Sequence, residues 1–309
     1  MSDVMTIFDR DLVRRRRERA ATRFHEYDFL FREVGERLAD RLDDVTRTFP
    51  RALDLGCHTG VLAEALAGRG GIRELVQCDL SLAMTRRAVA MTQRAEGERP
   101  PGLASVAVVA DEEWLPFAPG SFDLIVSNLS LHWVNDLPGA LVQARNALKP
   151  DGLFIATLFG GGTLSELRTA LMDAEDAEEG GWSPRVSPFP VTGDLGHLLQ
   201  RAGFALPVVD ADRITVSYPD TIRLMTDLRG MGETNAVLER RRVPTRRATL
   251  AAAAARYAER FAGTDGRLPA TFEILTLTAW SPHESQPKPA KPGSAGMSLA
   301  EALSSQGCP

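Results

Sequence analysis

Leu53-Asp54-Leu55-Gly56-Cys57-His58-Thr59-Gly60 is an apolar strand end that runs into two glycines spaced four apart. Val61-Leu62-Ala63-Glu64-Ala65-Leu66-Ala67 follows it and is a good helix former. The pattern reads as strand, tight glycine turn and helix, the first βα unit of a doubly wound, mostly parallel sheet. Ligands of such sheets sit at the carboxyl ends of the strands, where the backbone must come close to them. Glycine suits that place because it has no Cβ and tolerates φ > 0.

The spacing narrows the ligand. A nicotinamide fingerprint needs G-x-G-x-x-G, with a third glycine packing helix on strand. Here His58 stands between Gly56 and Gly60, and no third glycine is in register. Asp54 within the strand and the D-x-G-x-x-x-G spacing fit the loop of a class I S-adenosylmethionine (SAM) site better. Residues 74–78 read as strand two, with Asp79 at its end. An acid about 20 residues beyond the glycine turn is placed to accept both ribose hydroxyls; the alternative is an N-cap for a helix from Ser81. Residues 105–109 read as strand three, and Asp111 just past it can accept from an adenine amino group. The expected cofactor set is Asp54, Gly56, His58, Gly60, Asp79, Leu80, Asp111, Glu112 and Asn128.

At 309 residues, 44% hydrophobic and 25% charged, the chain suits one large α/β domain with additions. A net charge of -5 gives no general drive toward nucleic acid. Cys57, Cys78 and Cys308 are too few and too scattered for a disulfide framework or a C-x-x-C metal site, which points to a reducing compartment. No run of about 18 apolar residues is present, which argues against a membrane span. Arg14 to Arg17 is not followed by an apolar stretch, so the start does not read as a secretory signal. Asp3, Asp9, Asp11 and Glu18, interleaved with it, argue against a mitochondrial presequence. The run reads as a solvated helix face or as a contact for an acidic partner. The histidines show no metal-ligand spacing, and no metal site is expected.

Residues 1–49 read as a helical lid or cover, because Phe31, Val34, Leu38, Leu42 and Val45 recur at three and four. Residues 50–157 form the SAM-binding core, with strands near 51–55, 74–78, 105–109, 123–128 and 153–157. Pro100-Pro101-Gly102 reads as a loop and Lys149-Pro150-Asp151-Gly152 as a turn. His132 and Trp133, past strand four, are either core or line the space near the sulfonium. In residues 158–281, Gly160-Gly161-Gly162-Thr163 reads as a flexible hinge into cap helices near 164–179, 194–202 and, in pieces, 219–264. Strands near 206–217 and 271–280 complete a seven-stranded α/β sheet with helices on both faces. Residues 282–309 read as an irregular tail.

The core over 53–157 resembles the class I SAM-dependent methyltransferases. Ser127-Asn128-Leu129-Ser130-Leu131-His132-Trp133 is similar to the malonyl-acyl-carrier-protein methyltransferases of biotin synthesis. Segments outside that core resemble the respiratory complex I assembly factor 5 family across nearly the whole chain. They are Ile7-Phe8-Asp9-Arg10, residues 132–138, residues 159–164, Asp227-Leu228-Arg229-Gly230-Met231-Gly232-Glu233 and His283-Glu284-Ser285-Gln286. The resemblance implies SAM as cofactor and hydroxylation of an arginine in the complex I subunit next to the quinone site. It implies the bacterial cytoplasm or the mitochondrial matrix, with peripheral membrane association open. An arginine client calls for a carboxylate, so Glu233 and Asp227 are the expected catalytic acids. Segments 227–233 and 283–286 are expected to line the pocket above the sulfonium. The family's glycine between Gly56 and Gly60 is His58 here, whose side chain is expected to crowd or hydrogen-bond the methionine end of SAM. Two other functions fit the same residues. One is O-methylation of a carboxylate such as malonyl-acyl carrier protein, with Arg240-Arg241-Arg242 and Arg246-Arg247 facing the acidic carrier. The other is a non-catalytic assembly chaperone on the SAM fold.

Overall fold

The computed structural model describes residues 6–94 and 104–287. The loop at Pro100-Pro101-Gly102, the tail beyond Pro287 and Cys308 lie outside the described residues. The chain begins with α1 (Arg10–Ala20) and α2 (Phe29–Asp43), then β1 (Arg51–Leu55), α3 (Val61–Ala65), β2 (Glu74–Asp79), α4 (Leu82–Arg94) and β3 (Ala104–Val109). It continues through β4 (Phe122–Asn128), α5 (Leu137–Ala147), β5 (Leu148–Phe159), α6 (Ser165–Glu179) and α7 (Thr192–Arg201). It closes with β6 (Ala205–Tyr218), α8 (Thr221–Gly230), α9 (Arg247–Phe261) and β7 (Leu268–Trp280).

The seven strands form one sheet in the order β3-β2-β1-β4-β5-β7-β6. β1 to β5 run parallel, and β7 lies antiparallel between β5 and β6. The order reverses between β1 and β4, and ligands of such sheets bind at that switch point, beyond the carboxyl ends of the strands. Successive strand residues point to opposite faces. Ala52, Leu124 and Ile155 pack against Leu38, Leu42 and Leu62 on one side. Leu53, Ile125 and Phe154 pack against Leu141, Leu195 and Leu199 on the other.

The helical pattern before β1 resolves into two helices. Asp9 caps α1, its carboxylate accepting from the Leu12 N–H at 2.9 Å. A 3-10 stretch over Ala21–Glu26, with Arg23 at φ -120°, turns the chain into α2. The helices after β5 and those before β1 share a core in which Leu167, Leu171, Leu228 and Tyr257 meet Phe24 and Phe31. Gly230 and Gly232 allow that contact. A Cβ on Gly230 would lie 2.3 Å from the Tyr27 ring, and Gly232 takes φ +80°, where a side chain would be strained.

Two expectations from the sequence change. Gly160 to Gly162 is a packed corner rather than a hinge. The Gly160 N–H donates to the Glu273 carbonyl and the Gly162 N–H to the Glu273 carboxylate, both at 2.8 Å. A Cβ on Gly160 would fall 2.5 Å from that carboxylate. The His283–Gln286 segment does not line a pocket at the carboxyl ends. Because β7 is antiparallel, Trp280 pairs with Leu153 at the amino end of β5. There the Gln286 amide donates to Asp151 Oδ1 at 2.8 Å and the Ser285 hydroxyl donates to Oδ2 at 3.3 Å. The segment latches the opposite edge of the sheet.

Candidate functional site

The turn after β1 is built for close approach. Gly56 and Gly60 take φ +76° and +86°. The N–H groups of Gly56 and Cys57 both donate to the Cys78 carbonyl, which fastens the turn to the end of β2. A Cβ on Gly60 would sit 3.1 Å from the Ala88 Cα, so this glycine lets the turn rest on α4.

Four acids meet at the ends of β1, β2 and β3. Asp54 is fully buried and neither oxygen has a hydrogen-bond partner. Burial, reinforced by Asp79, pushes its pKa up to about 8. Asp79 is also fully buried; Oδ1 accepts from the Ser81 N–H at 2.8 Å and Oδ2 from the His58 N–H at 3.1 Å. The cap of α4 falls to the Ser81 hydroxyl, which accepts from the Met84 N–H at 3.2 Å. Asp111 accepts from the Glu113 N–H at 2.9 Å. Glu112, beside it, is fully buried. Burial alone would raise its pKa, but Arg10 and Arg17 overcome that and hold it well below the usual range.

The sequence pattern places neither of these two arginines at the cofactor acids. Arg17 Nη1 donates to Glu112 Oε1 at 2.8 Å and to Asp79 Oδ2 at 3.3 Å, and Nη2 donates to the Ser130 hydroxyl at 2.8 Å. Arg10 Nη2 bridges Asp111 and Glu112. The basic run is therefore split by the helix. Arg14 pairs with Asp11 at the surface, Arg16 donates to the Thr234 carbonyl, and Arg17 enters the core. The acidic partner is the chain itself. The available signal was Arg10, Val13, Arg17 and Ala20 at three and four, one face of α1.

Other expected site residues take different places. The His58 ring turns toward the aromatic residues that precede β1. It stacks on Phe24 at 5.6 Å, meets Phe31 edge-on at 4.7 Å and contacts the Leu129 carbonyl at 3.3 Å through Nε2. Burial and then Arg17 lower its pKa. Both ends of the Asn128 amide are taken within the protein: Nδ2 donates to the Phe31 carbonyl at 2.8 Å, and Oδ1 accepts from Thr157 at 2.9 Å. Leu80 packs among Phe8, Val13 and Trp133.

Glu233 lies beyond α1. Its Oε2 accepts from Trp133 Nε1 at 2.8 Å and from His132 Nε2 at 2.9 Å. Burial would raise its pKa, but His132 and Arg17 draw it below the usual value. It lines a cavity of about 540 Å3 with Leu12, Arg16, Leu167, Phe189 and Arg241. A second cavity, of about 700 Å3, shares the wall of Pro184, Arg185, Val186 and Phe189. Asp227 lines neither. It pairs with Arg223 at 3.1 Å beside Tyr218, and burial raises its pKa against the pull of Arg223. The Arg240–Arg242 triplet is not a free basic face: Arg240 reaches Asp9, and Arg241 reaches Glu175 and Glu179.

Known proteins resemble this chain in sequence or in fold. Residues 53–156 match the family described as a methyltransferase domain. A solved structure of phosphoethanolamine N-methyltransferase 2 from Haemonchus contortus, with S-adenosylhomocysteine, matches with a TM-score of 0.54. It is 19% identical and covers 88% of this chain and 60% of that one, a likeness of fold. Malonyl-[acyl-carrier protein] O-methyltransferase from Xylella fastidiosa is 38% identical, over 89% of each chain. The mitochondrial arginine-hydroxylase NDUFAF5 of Homo sapiens is 48% identical over 96% of this chain and 83% of its own length. The chain belongs to the NDUFAF5 arginine-hydroxylase family, built on the class I methyltransferase fold.

Proposed function

We propose that this chain binds SAM at the carboxyl ends of β1, β2 and β3 and acts in respiratory complex I assembly, hydroxylating an arginine of a client subunit seated beside Glu233. Glu233 carries the client assignment. It is a buried carboxylate held on one oxygen by His132 and Trp133, and it lines a cavity. A guanidinium entering such a place needs a carboxylate, because an unpaired buried charge is costly and the two groups match in shape. Asp227 instead pairs with Arg223 one turn away on α8 and lines neither cavity.

The set of acceptors suits SAM. Asp54 offers two unpartnered oxygens to the ammonium group, Asp79 serves the ribose and Asp111 the adenine amine. Gly56 and Gly60 let the backbone come close. Hydroxylation puts oxygen into a C–H bond, so it needs dioxygen and a two-electron donor, the second oxygen atom leaving as water. SAM would supply a sulfonium cation beside that reaction, and its activated methyl carbon would be the reacting centre only in methyl transfer. The protein's own residues align the partners and keep water out. The client places the work at the membrane periphery, in the mitochondrial matrix or the bacterial cytoplasm. Among the described residues no helix is long and apolar enough to cross a membrane.

One observation favours a second reading. Arg16, Arg229 and Arg242 line the same cavity as Glu233 and suit an anionic acceptor, such as the carboxylate of malonyl-acyl carrier protein. Methyl transfer to a carboxylate needs alignment rather than a base. Gene deletion separates the two. Loss of assembled complex I with growth independent of biotin is expected. A biotin requirement with normal complex I would overturn the hydroxylase reading in favour of the methyltransferase.

A further inference from the structure

The face of α1 that enters the core seats cations on the acids proposed for the cofactor. Arg17 is 1% exposed, and all its bonds go to Asp79, Glu112 and Ser130. The Ser130 hydroxyl donates onward to Glu112 at 2.7 Å and covers the glycine turn. A Cβ built on Gly56 would fall 2.0 Å from it. The space through which the backbone would meet a ligand is filled by this network.

The acceptor count at Asp79 makes the conflict specific. An ionised carboxylate offers about four lone-pair sites. The N–H groups of Ser81 and His58 and the Arg17 guanidinium fill three of them. A ribose diol brings two donors, so both cannot bond Asp79 while Arg17 stays. The incoming cofactor carries a sulfonium and an ammonium against one carboxylate. It can therefore replace Arg17 as the cation among these acids without leaving them uncompensated.

We infer that Arg17, assisted by Arg10, is an internal competitor of the cofactor, and that SAM binds by exchanging with the Arg17 guanidinium on Asp79 as α1 draws back. The inference rests on the reading that Asp79 takes the ribose. It has a consequence for order. Leu12 and Arg16, on another face of α1, line the Glu233 cavity, so one helix touches both sites. Withdrawal of α1 joins the cofactor acids to the client cavity, and cofactor binding precedes client engagement.

Calorimetric titration of SAM into the wild type, Arg17→Met and Asp79→Asn tests this, together with hydrogen exchange of the wild type with and without SAM. Arg17→Met should bind SAM at least tenfold more tightly, although its cofactor-free form melts at a lower temperature. In the wild type, SAM should speed exchange in residues 10–20 and slow it in β1 and β2. Equal or weaker SAM binding by Arg17→Met would overturn the inference while leaving the site intact, provided Asp79→Asn weakens binding. Unchanged affinity in Asp79→Asn would remove the ribose reading and the inference with it. Should Arg17→Met not fold, exchange decides alone, and slower exchange of residues 10–20 with SAM refutes the exchange of partners.

Discussion

Glu233→Gln should lower kcat/KM for client modification by about two to four orders of magnitude and leave SAM affinity within about threefold of the wild type. The carboxylate is buried, and His132 and Arg17 keep it ionised against the cost of burial. Glutamine retains an oxygen to accept from Trp133 Nε1 and His132 Nε2, so the local fold should survive the change. What disappears is the negative charge. A guanidinium then enters a buried site with no counter-ion, at a cost of about 3–5 kcal/mol. Steady-state kinetics with purified client gives the ratio. Wild-type kinetics in the variant would remove Glu233 from the client site.

SAM affinity should rise steeply with pH up to about 8, approaching tenfold per unit, and Asp54→Asn should abolish the slope. Asp54 has no hydrogen-bond partner on either oxygen, and burial with Asp79 lifts its pKa to about 8. Below that pH the cofactor-free protein holds Asp54 as the neutral acid. Pairing with the SAM ammonium requires ionisation, so each unit below 8 costs binding about 1.4 kcal/mol. Stability moves the other way. The folded pKa lies above the unfolded value of about 3.9, so the unfolded chain ionises first as pH rises. The contribution of Asp54 is fully present below about 3.9 and is lost between there and about 8. Asp54→Asn should flatten that loss and raise the melting temperature at pH 8. Calorimetry of binding from pH 6 to 8, with melting curves in the same buffers, reads both effects. A pH-independent wild type would place the ammonium elsewhere.

The parallel core was legible because its strands are apolar runs that end in glycines or acids. Asp54, Asp79 and Asp111 sit at the ends of three adjacent strands, where their sequence positions put them. What was not legible depends on contacts between distant segments. Arg14 to Arg17 looks like a solvated run until the Asp9 cap sets the helical register and turns Arg17 inward. The Asn128 amide finds its partners on α2 and β5, both far away in the chain. An apolar run does not reveal its direction, so β7 could not tell which end of the sheet His283 to Gln286 would reach. Of the glycines that look like a hinge, Gly160 and Gly162 are small because Glu273 packs against them.

The central claim is the chemistry done on the client. Complex I subunits purified from wild-type and deletion cells, digested and weighed intact and as peptides, test it most directly. The account predicts one arginine-bearing peptide heavier in the wild type by a single oxygen, about 16 Da, and restored by the wild-type gene but not by Glu233→Gln. A gain of about 14 Da, one methyl group in place of a hydrogen, or identical masses in both strains, would contradict it.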